Sequence, residues 1–331
     1  MAITLAEAKV GMADKVDQQV VDMFRRSSLL LDRMTFDDSI SPGTGVSTLT
    51  YGYVQLSTPA TANVRAINTE YTANEAKREK KTANAIMVGG SFEIDRVIQN
   101  TSGAIDELSF QAEQKIKATA NQFHNLAING TSAASGAGYV TGTFDGLRKL
   151  LAGTSSVVTS EVSLTSSAEV TSNYAAFLDE LDAFLTCIDG KPDMLLMNSK
   201  MLNRIRACAR RAGYYERSKD DFGRVVETYN GIALLDAGQY YNGTNSVDVV
   251  GTSAATSAAA GKTDIFAVCL GLDAFHGISP LGGGLINSYL PDLTQPGAVK
   301  KGEVELVAGV ALKNTLKAAQ LTGISILPKT T

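Results

Sequence analysis

Between Val46 and Phe92 the chain alternates in a way that narrows its possible folds more than any other stretch. STLTYGYVQLSTPATANVRAINTEY carries Thr, Tyr and Val at period two; a densely charged run, NEAKREKKTAN, follows, and then AIMVGGSF. Period two predicts extended strands, and the charged run between them predicts a long β-hairpin with a charged tip. A hairpin that is mostly polar on both faces has no side with which to build a core. It is either a solvated hairpin on its parent domain or an extended loop lying on a neighbour, and both readings stand at this point. In the second, Lys77, Arg78, Glu79, Lys80 and Lys81 are candidates for contact between subunits.

The rest of the chain has the means to bury itself. Its 331 residues are 44% hydrophobic and 19% charged, enough for about two domains at roughly 100–200 residues each. A formal net charge of −4 gives no bulk signal for general nucleic-acid binding. Cys187, Cys208 and Cys269 are odd in number, widely spaced and set in apolar or helical context, which favours reduced, buried thiols of a cytosolic protein. The start, MAITLAEAKVGMADKVDQQ, has charges in its first turns and lacks the apolar stretch of about 7–15 residues that a secretory signal needs. No apolar run reaches the roughly 18 residues of a membrane helix, so no membrane partner is expected. Asn129-Gly130-Thr131 and Asn242-Gly243-Thr244 fit a glycosylation sequon but, without a secretory route, read as turns.

Residues 5 to 34 place Leu5, Ala8, Val16, Val20, Val21, Phe24, Leu29, Leu30 and Leu31 among charges, a broken amphipathic helical pattern. A lone arm of this kind has little to pack on, so Phe24 and Leu30 join the contact candidates. FEIDRVIQNTSG then leads into the clearest helix, where Ile105, Leu108, Ala112, Ile116, Ala120, Phe123 and Ala127 recur at three and four. Ser102 is its expected N-cap, Asp106 and Glu107 suit the dipole of its first turn, and Asn129-Gly130 ends it. About 26 residues, or about 39 Å, suits a structural spine.

A second amphipathic helix is expected over roughly 173–188, with Tyr174, Phe177, Leu178, Leu181, Phe184, Leu185 and Ile188 on one side and Gly190 and Pro192 as its stop. Met194 to Met197 reads as a short apolar strand, followed by a helix capped by Asn198 or Ser199 that carries Met201, Leu202, Ile205 and Ala209. This is a helix–strand–helix layer pattern. RVVETYNGIALLDAG gives two strands joined by Asn230-Gly231, a strong hairpin signal. Strand-like segments at 264–270 and 303–327 flank the Gly-rich HGISPLGGG. The fold class is α+β, with no repeat at solenoid period.

Catalytic chemistry finds little support. Gly261-Lys262-Thr263 looks like the end of a phosphate loop, but the motif's first glycine falls on Thr256 and DIFAVCL reads as strand where a helix is needed. His276 and Ser279 with Gly282, Gly283 and Gly284 superficially match a hydrolase serine and oxyanion loop, yet Pro280 and Leu281 follow the serine where a nucleophile elbow cannot have them. His124 and His276 are the only histidines, so any triad must use one of them; His124 is expected on a polar helix face. No Cys or His pair has zinc spacing, and no Asp-x-Asp calcium loop occurs. The expectation is no catalytic, cofactor or metal site, with a hydrolase built on Ser279 and His276 as the alternative from another class. NRIRACARRAGYYERSK gathers Arg204, Arg206, Arg210, Arg211, Arg217 and Lys219 with Tyr214 and Tyr215. Such a patch either touches nucleic acid or pairs with acidic residues of a neighbouring copy or subunit, which adds Arg204, Arg210 and Arg211 to the contact candidates.

The order of parts (amphipathic arm, polar hairpin, FEIDR lead-in, uninterrupted spine, central region with PDMLLMNSKMLNRIRA and NGIALLDAG, closing strands) resembles the major capsid proteins of tailed bacteriophages (Caudoviricetes) with the Hong Kong 97-type fold. The resemblance spans essentially the whole chain. It implies an N-terminal arm at 1–45, an E-loop at 46–91, a peripheral P-domain with the spine helix at 92–150 and an axial A-domain at 151–289, with closing strands at 290–331 shared by the two domains. It implies assembly with copies of itself through pentamers and hexamers into an icosahedral shell around double-stranded DNA, in the virion and assembled in the host cytoplasm. Arm and hairpin reach over adjacent subunits in such shells, so their burial is intermolecular. Because the arm begins almost at Met1, a separate scaffolding protein is expected, together with a portal. Lys77, Lys80 and Lys81 occupy the hairpin position from which some relatives cross-link to an asparagine, but no matching asparagine can be located. An encapsulin-like compartment of the same fold is the nearest alternative.

Overall fold

The computed structural model describes residues 29–38, 49–101, 106–133, 140–213, 216–219, 225–280, 286–292 and 294–329. In chain order come α1 (Leu29–Arg33), β1 (Phe36–Asp37), β2 (Thr50–Thr58), β3 (Lys77–Asn84), β4 (Ile86–Asp95), α2 (Arg96–Thr101) and α3 (Glu107–Asn129). They are followed by β5 (Gly130–Thr131), β6 (Val140–Thr141), α4 (Leu147–Leu151), β7 (Val157–Thr159), α5 (Ser167–Leu185), β8 (Met194–Met197), α6 (Ser199–Ala212), β9 (Glu216–Lys219), β10 (Val225–Tyr229) and β11 (Ile232–Asp236). The chain closes with β12 (Gln239–Tyr241), β13 (Ser246–Asp248), β14 (Gly261–Val268), β15 (Phe275–Ile278), β16 (Ile286–Tyr289), β17 (Val299–Leu312) and β18 (Ala318–Leu327).

Two sheets carry the body. One has seven strands in the order β7-β18-β14-β8-β11-β10-β9, and the other sets β1-β15-β17-β16 side by side with β4 also paired to β17. In β8 every residue is buried, but on alternate sides. Met194 and Leu196 join Phe266 and Val268 of β14 and Phe123 and Leu126 of α3 in one core. Leu195 and Met197 join Ile265 and Ala267 with Phe177, Leu181 and Phe184 of α5 and Ile205 of α6 in another. A central strand covered on both faces reads as an unbroken apolar run, which is why MLLM is legible as one.

The helices follow their local chemistry, with shifted ends. Asn198, not Ser199, caps α6, its side chain accepting from the Met201 amide at 2.8 Å. Helix α5 begins at Ser167, earlier than its apolar face suggests, because Ser166 caps it and the Glu169 carboxylate turns back to accept from the Thr165 amide and the Ser163 hydroxyl. The Thr165 hydroxyl, which also donates to this carboxylate, then the Ser163 hydroxyl, and less strongly the Thr165 amide, hold the Glu169 carboxyl below its ordinary pKa. The spine α3 is 23 residues, about 35 Å at 1.5 Å per residue. Its N-cap is Asp106, whose carboxylate accepts from Gln99 and Ser109 and is thereby held low; Ser102 lies outside the described residues. The spine ends at Gly130, where the backbone turns extended (φ −63°, ψ 152°), and the position is restricted to glycine because a Cβ there would sit 2.5 Å from the Leu126 carbonyl and 2.6 Å from that of Phe144. The Asn230-Gly231 turn is left-handed at both residues (φ 51° and 68°) and joins β10 to β11.

Several expectations are corrected. The charged run is a strand and not the tip: Lys77 to Asn84 pairs antiparallel with Thr50 to Thr58, and the tip is the stretch 59–76. A two-stranded ribbon open to solvent on both sides lets long charged side chains lie along a strand without burying charge. Leu30 is 1% exposed and packs in its own chain's core with Phe123, so α1 has a partner within the chain. Phe24 and the rest of residues 5–28 lie outside the described residues. His124 is fully buried and not on a solvated helix face, because the C-terminal half of α3 is buried and shares a core with residues of both sheets. Asn129-Gly130-Thr131 is a helix end running into β5, not a turn. Cys208 and Cys269 are buried, and burial pushes the Cys208 thiol up to about 11, but Cys187 is only half-buried.

Candidate functional site

The ribbon β2–β3 and its root form the candidate site. At the root, Tyr53, Ala83 and Ala85 pack on Ile278 and Ala311 in a small core of their own. Gln55 donates through Nε2 to the carbonyls of Leu312 (3.2 Å) and Lys313 (2.7 Å). Tyr51 donates to Asp37 Oδ2 at 3.1 Å, stands edge-on to His276 at 5.9 Å, and has Lys313 Nζ 5.5 Å from its ring centre. The inward, odd-numbered face of β2 therefore belongs to this chain.

His276 is fully buried beneath Tyr51, with Nδ1 3.3 Å from the Ala274 carbonyl. Burial lowers its pKa from the ordinary imidazole value; the Ala274 carbonyl opposes the shift and Lys313 adds to it, so the ring is neutral near pH 7. Ser279 is 1% exposed and donates its hydroxyl to the Val307 carbonyl at 2.9 Å. Both hydrolase candidates are thus buried and serve packing at the ribbon root. Lys262 lies in strand β14, as the reading against a phosphate loop requires. Gly282, Gly283 and Gly284 lie outside the described residues. Among the described residues there is no group of side chains suited to hold a metal ion, and no helix is long and apolar enough to cross a membrane.

Beyond the root the ribbon has no core. Lys77, Arg78, Glu79, Lys80 and Lys81 are all exposed, and the Lys81–Glu79 pair at 2.8 Å is a surface contact of small worth. On the outward face Val54 is 65% and Leu56 61% exposed. In the 59–76 stretch Val64 is 101% and Ile67 90% exposed, held only by local contacts such as Arg65 Nη1 to the Thr69 carbonyl (3.2 Å) and Arg65 over Tyr71. Single exposed apolar residues are ordinary, but a ribbon that carries several of them beyond its root offers a candidate contact surface.

The arginine cluster of α6 is used differently from its sequence reading. Arg204 donates to the Thr165 (2.7 Å) and Ile326 (3.2 Å) carbonyls, and Arg211 to the hydroxyls of Thr171 (2.9 Å) and Ser167 (3.0 Å). Arg206 pairs with Glu227 at 2.6 Å. They fasten α6 to the start of α5, to the end of β18 and to β10 of the same chain. Arg210 alone of the three contact candidates is exposed. Tyr214 and Tyr215 lie outside the described residues.

One polar joint had no sequence signal. Arg148 of α4 pairs with Asp264 of β14 at 2.7 Å and donates through Nε to Asn129 Oδ1 at 3.2 Å, at the C-terminal end of the spine. Asn129 in turn donates to Asn125 and to the Val249 carbonyl, while Asp264 also accepts from Gln320, Thr322 and the Gly323 amide. All of these but Gln320 border a cavity of about 680 Å³, and together they tie the end of the spine to the seven-stranded sheet.

Solved structures share this architecture. The holo-SrpI encapsulin complex from Synechococcus elongatus PCC 7942 superposes with a TM-score of 0.64 at 14% identity, over 100% of this chain and 99% of that one. The capsid of Myoviridae phage XM1 gives 0.59 at 14% identity over 93% and 96%, and Mycobacterium phage Ogopogo 0.57 at 14% over 92% and 94%. At such identities the likeness establishes the fold alone, which is of the Hong Kong 97 type. No curated protein sequence matches the chain. The model of the SU10 major capsid protein family matches residues 16–232, more than half of the chain, which therefore belongs to that family and is a shell-forming subunit of a phage capsid.

Proposed function

We propose that the subunit closes, through pentamers and hexamers, into an icosahedral shell around double-stranded DNA, with the ribbon and N-terminal arm lying on adjacent copies. Assembly takes place in the host cytoplasm on a separate scaffolding protein and around a portal, and the subunit carries no catalytic activity of its own. The observation that supports this reading is the ribbon: a segment that spends its inward face on its own root and leaves Val54, Leu56, Val64 and Ile67 more than half exposed has its remaining burial available only to another molecule. Removing residues 60–75 and closing the gap tests it. The variant is expected to stay folded and soluble by circular dichroism, and to form no shells by sedimentation or negative-stain microscopy. Shell formation at the unaltered level, or loss of the folded subunit, contradicts it.

The encapsulin complex among the similar folds supports a second reading, a compartment with protein cargo. The contents of purified particles separate the two: nuclease-protected DNA supports the capsid reading, and packaged protein without DNA the other.

A further inference from the structure

The ribbon's outward face is chemically one-sided. Antiparallel pairing places Lys80 directly across from Val54 and Arg78 across from Leu56, so two cations and two exposed apolar side chains share one face. Lys80 also lies over Gly52 of the same face, its Cε 3.0 Å from where a Cβ would stand. The acid of this strand, Glu79, points to the other face and is paired with Lys81.

An exposed surface of the complementary kind lies on the five-stranded sheet. The inner face of β17 is buried, with Val304 packing on Phe92 and Ala112, while Glu303 and Glu305 project outward. They flank a shallow trough of about 300 Å³ floored by Gly89, where a Cβ would sit 2.1 Å from the Val304 carbonyl. Met87 (67% exposed) lines the trough, and Tyr289 (57% exposed), paired with Glu303 across the strands, adds an apolar side chain to the same sheet face. Glu303 and Glu305 are two residues apart on one strand face, as are Arg78 and Lys80, so both pairs repeat at about 6.7 Å. Lys301 pairs with Glu303 at 2.8 Å, but both side chains are 54% exposed, so that contact is weak and exchangeable.

We propose that Arg78, Lys80, Val54 and Leu56 of one copy seat on the Glu303–Glu305 face of a second copy, with the apolar pair against Met87 and Tyr289. The inference rests on the reading of the ribbon as an intermolecular arm and names its receptor. The chain cannot satisfy itself in this way. Its ribbon is tied at Leu312 and Lys313, and Glu303 lies nine residues back along β17, about 30 Å away at about 3.3 Å per residue. Charge complementarity of this sort sets register and partner choice more than raw affinity.

Charge reversal tests it on the full-length chain, with circular dichroism and melting temperature as folding controls. Arg78→Glu with Lys80→Glu is expected to cut shell yield by at least about tenfold, as is Glu303→Lys with Glu305→Lys, because each sets like charges together. All four changes in one chain should restore assembly to within about threefold of the parent, since each new pair is again opposite in sign. The milder Arg78→Gln with Lys80→Gln should give an intermediate yield that loses its dependence on salt. Folded reversal variants that assemble like the parent overturn the proposal, and so does a quadruple variant that folds but stays as defective as either double. If removal of residues 60–75 abolishes shells while the reversals do not, the ribbon is an assembly arm with another receptor; if that removal is harmless, the arm reading itself fails.

Discussion

The seven-stranded sheet and the ribbon are both made of period-two sequence, yet they are opposite in energetic design. In the sheet, alternate residues of β8 and of the Ile265–Val268 part of β14 enter two different cores, so those stretches are apolar throughout and covered on both faces. In the ribbon, one face meets the body only at its root, and the other carries Val54, Leu56, Arg78 and Lys80 into solvent. A strand covered twice specifies itself, whereas a strand covered on neither side beyond its root is marginal alone and gains its order from what it meets. On the proposed reading the body is a folding unit and the ribbon an assembly unit.

The comparison can be broken first where burial is deepest. Phe266→Ala, at a fully buried side chain of β14, should cost about 3–5 kcal/mol in denaturant unfolding of the subunit. A loss below about 1 kcal/mol would mean the double-covered sheet is not the stability core. Arg148→Ala comes next: it strands Asp264, whose side chain is 11% exposed, and should cost on the order of 3 kcal/mol. Asp264→Asn is expected to cost about as much as Arg148→Ala: the amide keeps an acceptor for Thr322 and Gly323, but its NH2 faces the donors of Arg148 and Gln320 and leaves the Arg148 cation, 18% exposed, without its carboxylate.

A smaller effect belongs to the ribbon root. His276 faces Tyr51 of β2, Asp37 of β1, Lys313 after β17 and Asp273 before β15, and its pKa is lowered in the folded state. The unfolded imidazole takes up a proton near pH 6.5 while the folded one does not, so the stability it supplies is complete above about pH 6.5 and lost as the pH falls toward the folded value. Melting temperatures between pH 7 and pH 5 should fall less steeply in His276→Gln than in the parent; equal slopes would remove His276 from the account. Smallest of all, Leu56→Ala should change subunit stability by no more than about 0.5 kcal/mol while lowering shell yield, the reverse of Phe266→Ala.

Legibility in the sequence followed the same division. Met194–Met197, the Asn198 cap and the Asn230-Gly231 hairpin are readable because each is decided by residues a few positions apart. The charged run 77–81 was misplaced at a tip because alternation cannot distinguish a solvated strand from a loop when neither face is buried. The burial of Leu30 and His124 is not legible locally because their partners are distant in the chain, and neither are the intrachain bonds of Arg204 and Arg211, whose acceptors Thr165, Ile326 and Ser167 lie 39, 122 and 44 residues away. The Arg148–Asp264 joint spans 116 residues and left no local trace. The family and its shell-forming role were legible from the order of the parts.

The measurement that bears most directly on the division between folding unit and assembly unit is amide hydrogen exchange over residues 50–84, in the isolated subunit and in assembled shells. The ribbon beyond its root should exchange quickly in the isolated subunit, while the β8 and β14 amides stay protected in both states, and assembly should slow ribbon exchange by at least about tenfold. Ribbon amides as protected in the isolated subunit as in the shell would show that the segment is stabilised by its own chain, and would contradict the account.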